Sequence, residues 1–78
     1  MSFNMDLVES LEEMRRQSAL DHALRSRTNV TRFPPIPVTV RAVTGHAIAS
    51  TDTKILVEWE KYGDYHVRWE DKWQVNRI

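Results

Sequence analysis

The chain has 78 residues, eleven basic and eleven acidic side chains, seven aromatics and no cysteine. A chain of this size forms one small domain burying only about 60% of its unfolded surface, and without thiols it has neither a disulfide framework nor a cysteine nucleophile. The cancelling charge argues against a protein that lives on phosphate backbones, and the balance is local: residues 1–45 carry six basic and five acidic groups, residues 46–78 five and six.

The opening "MSFNMDLVESLEEMRRQ" has no basic segment followed by an apolar run, and no stretch approaches the roughly 20 apolar residues that cross a bilayer. The expectation is a soluble, cytoplasmic protein (nuclear in a eukaryote) with no membrane attachment. From Asn4 to Ser26 there is no Pro or Gly, and good helix formers dominate, so a helix is predicted over 5–25 within an N-terminal arm, 1–32. Leu7, Val8, Leu11 and Met14 make one apolar stripe; Leu20, Ala23 and Leu24 make a second, rotated from the first. Two stripes that one straight helix cannot aim at one surface, with a cap-like "SALD" at Ser18–Asp21, predict a kink or restart there. Such a helix packs on its own domain, or is offered to a partner or to a second copy as a homodimer contact.

Arg25 and Arg27 suit the negative end of a helix dipole. Pro34, Pro35 and Pro37 then predict a semi-rigid extended connector over 33–37, with Phe33 as an anchor. Beyond it, over 38–78, the hydrophobic period changes to two. "PVTVRAV" reads as a strand, Thr44–Gly45 as a turn, "HAIAS" as a short strand and "TDT" as a loop; "KILVEWE", "YHVRWE" and "WQVNRI" follow as strands. So many short strands in about forty residues predict a small, strongly bent barrel, giving an α+β protein. In the central hairpin, a three-residue loop at Tyr62–Asp64 sets Trp59 opposite Val67 and Val57 opposite Trp69. It also pairs Glu58 with Arg68 and Glu60 with His66.

"ILVEWEKYGDYHVRWED" resembles the central hairpin of chromodomains, whose pattern is approximately Y-L-V-K-W-K-G-Y followed after a short loop by W-E-P. Val57, Trp59, Tyr62, Trp69 and Glu70 match it, including the ten-residue step between the tryptophans. Tudor-type and other SH3-like barrels have similar hairpins. The resemblance implies a chromo- or Tudor-like barrel, with Trp59 and Tyr62 as two walls of an aromatic cage. Asp71 stands in place of the family's proline, and no aromatic near Val38–Val40 supplies a third wall, so methyl-lysine reading is not implied with the fold.

Chemistry is not apparent. There is no G-x-S-x-G elbow, the two glycines cannot build a phosphate loop, and His22, His46 and His66 lack metal spacing. The expectation is a non-enzymatic protein-binding module without metal or cofactor. Its surface would comprise Trp59, Tyr62, Tyr65 and Trp73, with Glu60 and Asp64 to meet a basic partner. Of these aromatics Tyr62, Tyr65 and Trp73 are expected to be exposed, whereas Trp69, outside the set, is expected to be core. The alternatives are weak nucleic-acid binding through Arg25, Arg27, Arg32 and Arg41 with stacking aromatics, or a small phage-type accessory protein that docks on and inhibits a larger enzyme complex.

Overall fold

The computed structural model describes residues 3–26 and 28–78, with side chains described for 11–26 and 28–78. One helix, α1 (Phe3–Arg25), precedes β1 (Thr31–Val40), β2 (Val43–Ser50), β3 (Lys54–Lys61) and β4 (Asp64–Asp71). A single 3-10 turn at Lys72–Gln74 then leads into β5 (Val75–Arg77). The five strands form one antiparallel sheet in the order β4-β3-β2-β1-β5. The first four are a meander, and the last returns across the sheet to pair Val38, Thr39 and Val40 with Arg77, Asn76 and Val75. The sheet is open: β4 and β5 are its two edges, with no ladder between them.

The helix runs without a break through Ser18–Asp21, where a restart was expected. With no Pro or Gly to interrupt it, the segment stays helical, and Gln17 Nε2 donates to Asp21 Oδ1 (3.0 Å) one turn along. The predicted stripes are only partly the buried face: Leu20 and Ala23 of the second meet the sheet, while Leu24 and the described members of the first do not. Leu11, Met14 and Leu24 are exposed, whereas Leu20 retains 3% of its surface and Glu12, Arg16, Ala19 and Ala23 are half-buried. Those five positions share the helix face that meets the sheet. Leu7 and Val8 lie outside the described side chains.

The proline segment 33–37 lies inside β1 rather than between domains. Pro34 and Pro35 fall in a register shift between Arg32 and Ile36, and β5 covers β1 only from Val38 onward. The missing amide donors therefore sit in a bulge and on a locally free edge, where a strand tolerates proline. The first hairpin turns at Arg41–Ala42 instead of Thr44–Gly45, and Gly45 is a β2 residue. A Cβ at Gly45 would press into the Glu58 carbonyl oxygen and sit 3.0 Å from the Trp59 Cβ. Glycine is required there because β2 runs so close to β3.

Both faces of the sheet bury apolar side chains. Toward α1 lie Ile48, Ala49 and Leu56 with Leu20, joined by Val67 and Trp69. On the opposite face lie Val38, Val40, Ala47 and Val57, flanked by Phe33, Ile36, Ile55, Trp59 and Val75. Alternation along β3 sends Leu56 to one face and Val57 to the other. In β2 the same parity would put Ala47 and Ala49 together. A bulge prevents this: Ala47 pairs with Val57 but Ala49 pairs with Leu56. Among the described residues no helix is long and apolar enough to cross a membrane.

Candidate binding site at the edge of the sheet

The central hairpin carries most of the aromatic residues, and its turn sets what they face. The loop is two residues, Tyr62 and Gly63, with φ of 54° and 81°. Positive φ at both central positions is the type I′ signature, whose twist matches that of the flanking strands. The ladder accordingly pairs Glu60 with Tyr65, Trp59 with His66, Glu58 with Val67, Val57 with Arg68 and Leu56 with Trp69. This is one residue from the expected three-residue-loop register. The expected Glu58–Arg68 and Glu60–His66 pairs are absent, and Trp59 stacks on His66 with ring centroids 5.3 Å apart. The shift turns Tyr65, Val67 and Trp69 toward α1.

That side of the hairpin holds the helix by polar contacts. The Glu58 carboxylate accepts from Arg16 Nε (2.8 Å) and from the Tyr65 hydroxyl (2.5 Å). The Arg16 guanidinium also lies over the Tyr65 ring and bonds Glu13 Oε2. Trp69 Nε1 donates to the Ala19 carbonyl (2.9 Å). Burial, and then the hydrogen bond to Glu58, push the Tyr65 phenol above its ordinary range. The hydrogen bond to Glu58 raises the Arg16 guanidinium further. Tyr65, expected to be exposed, is therefore a half-buried part of the helix contact. Trp69 is half-buried under the helix rather than sealed in a core.

β4 is an edge, and its turn shows which groups it leaves open. Lys61 and Asp64 flank a two-residue turn and exchange hydrogen bonds; alternation then leaves Glu60–Tyr65, Glu58–Val67 and Leu56–Trp69 as the non-bonded pairs. The main-chain groups of Tyr65, Val67 and Trp69 point away from β3. Arg15 Nη1 confirms the direction by donating to the Tyr65 carbonyl (2.6 Å). Along this edge runs an open groove of about 660 Å³. Arg15, Ser18, Ala19 and His22 line it from α1; Trp59 and the β4 residues Tyr65 to Trp69 line it from the hairpin.

The residues expected to form the binding surface are dispersed. Trp59 and Tyr65 reach the groove, and with Glu60 they also line a smaller hollow of about 350 Å³ beside Arg16. Asp64 is exposed next to the turn. Tyr62 is 94% exposed at the hairpin tip, with Lys61 Nζ over its ring (5.7 Å). Trp73 is 79% exposed in the 3-10 turn, past the far end of β4, a strand length of roughly 25 Å from Tyr62. Arg15, His22, His66 and Arg68 did not emerge from the sequence. The one available signal was the spacing of Arg15, Ser18, Ala19 and His22, which places them on one side of a helix.

The arginines also separate. Arg25 and Arg32 are exposed, and Arg27 lies outside the described residues. Arg41 is at the opposite end of β1 from Arg32, in the first hairpin turn with φ of 55°. It donates through Nη2 to the buried Glu70 (3.0 Å) and through Nη1 to Gln74 (3.3 Å). Its charge is thus used within the fold. Among the described residues no three His, Asp or Glu side chains are grouped to hold a metal ion. No family model, curated protein or solved structure matches the chain.

Proposed function

We propose that this protein is a non-enzymatic binding module built on a small, partly open barrel of the SH3-like, chromo- or Tudor-related kind, and that it docks a protein partner along β4. The barrel reading is supported by the meander of β1 to β4, the 3-10 turn after β4 and the return of β5 to pair with β1. The observation that carries the binding reading is the pairing of an open strand edge with a groove. Val67 and Trp69 have outward main-chain groups without a partner among the described residues, directly beside a cleft walled by α1. An exposed edge is a template for another chain. A role without chemistry fits the carboxylates, since Glu58 and Glu70 are both engaged by arginines within the fold.

The test is affinity capture from lysate of the native host with the wild type and with Val67→Pro. The substitution removes an outward N–H and leaves the β3–β4 ladder bonds in place. The expected result is a protein retained by the wild type and lost by the variant, with slowed amide exchange at Val67 and Trp69 in the complex. A partner held equally by both proteins would place binding elsewhere.

A further inference from the structure

We infer that the segment docking on β4 is an acidic, extended peptide that adds to the sheet as a sixth strand. This rests on the reading of the β4 groove as the docking site, and it names the chemistry of the partner. Three features of the edge carry it.

The first is backbone geometry. Val67 and Trp69 each present an N–H and a C=O outward at strand spacing, a row that an extended polypeptide can satisfy and a nucleic-acid strand cannot. The second is space. The groove continues the sheet past β4, with α1 over one side of the incoming strand and the stacked Trp59 and His66 on the other. The third is charge. Arg15, His22, His66 and Arg68 line the groove, and among the described residues no carboxylate does. Arg15 is bonded to a main-chain carbonyl and has no acidic partner among the described contacts. Arg68 Nε lies 3.7 Å from Glu70 Oε1, which already accepts from Arg41 at 3.0 Å. Two guanidiniums thus share one carboxylate, and positive charge is left over beside the edge. This reverses the expectation from Glu60 and Asp64, which sit near the hairpin tip and outside the groove.

An incoming strand alternates its side chains between the two sides. One set meets Arg68 and His66, the other Arg15 and His22, so acidic residues are favoured on either side. Attraction at such a rim acts mainly through association rate and salt dependence.

The probe is a capped eight-residue peptide alternating glutamate with valine, titrated into the full chain and followed by amide chemical shifts and hydrogen exchange. Three comparison ligands are used: the same peptide with lysine for glutamate, a fully N-methylated analogue, and oligothymidylate. The expected result is binding of the glutamate peptide that weakens with salt and slows exchange at Val67 and Trp69. The lysine and N-methylated peptides should bind at least about tenfold more weakly. Arg15→Glu combined with Arg68→Glu should reverse the preference toward the lysine peptide. This variant leaves the β4 backbone intact should Val67→Pro fail to fold. Equal binding of the glutamate and lysine peptides overturns the acidic assignment. Undiminished binding of the N-methylated analogue overturns strand addition, and tighter binding of oligothymidylate makes the groove a nucleic-acid site. If the glutamate peptide fails while a host protein is still lost with Val67→Pro, the partner chemistry is wrong and the docking site stands. If no ligand engages Val67 and Trp69 and no captured protein depends on them, both fail.

Discussion

Tyr62 and Tyr65 are three positions apart and have opposite roles. Tyr62 is almost wholly exposed, and its backbone holds φ of 54°, a conformation uncommon for a residue with a side chain. Asparagine tolerates it better, and Asn-Gly is the preferred type I′ pair. Tyr62→Asn is therefore expected to stabilise by ~0.5–1 kcal/mol, raising the thermal midpoint by a few degrees in a melt monitored by circular dichroism. Tyr65 instead gives its hydroxyl to Glu58 beside Arg16. Its phenol titrates above the ordinary value near 10 in the fold but near 10 in the unfolded chain. The stability this contributes is complete below about pH 10 and is lost as the pH rises beyond it, because only the unfolded tyrosine ionises there. Thermal midpoints of wild type and Tyr65→Phe between pH 7 and 11 are the check. Tyr65→Phe should be less stable by ~1 kcal/mol at neutral pH and should lose less above pH 10. Parallel curves would show that the hydroxyl does not sense the fold.

At the scale of elements, the described part of α1 is attached by little apolar surface. Leu20 is the one fully buried side chain among its described residues, and it contacts Ile48, Ala49 and Leu56 on the sheet. Removing it should cost ~2–4 kcal/mol through lost burial and the cavity left behind. Leu24→Ala, at an exposed position of the same predicted stripe, should stay within about 0.5 kcal/mol. Chemical denaturation of the two variants tests this assignment, and equal losses would contradict the observed helix rotation. The strands were mostly legible from the period-two pattern. The rotation of the helix was not, because Glu12 and Arg16 serve the contact face as polar residues while Leu11 and Met14 are left outside. Hydrophobic periodicity assumes that apolar residues point inward, and here Glu58 and Tyr65 supply half-buried polar partners.

The whole molecule is thin. Its radius of gyration is 13.1 Å, against about 11.5 Å for a compact chain of this length, and its extents are 42 × 30 × 18 Å. One open sheet with one helix on it leaves a large surface for its mass. Zero net charge still governs non-specific electrostatics. Binding of labelled duplex and single-stranded DNA or RNA should therefore be weak at physiological salt. Submicromolar affinity that survives that salt and is lost on changing Arg25, Arg27 and Arg32 to Ala would put nucleic acid ahead of a protein partner.

The sequence by itself determined α1 and the two strands of the central hairpin. An uninterrupted run of helix formers to Arg25 and alternating residues in "KILVEWE" and "YHVRWE" specify local backbone through interactions a few residues apart, and that information lies within each segment. Tertiary structure decided the register of the central hairpin, the bulge that places Ala47 and Ala49 on opposite faces, and the groove. The turn type depended on whether Tyr62 would accept a left-handed conformation, which the demands of both strands settled together. The groove depends on Arg15 meeting Tyr65 and Ala19 meeting Trp69, pairs fifty residues apart in the chain. No spacing rule links such residues, because their proximity is set by how the helix crosses the sheet.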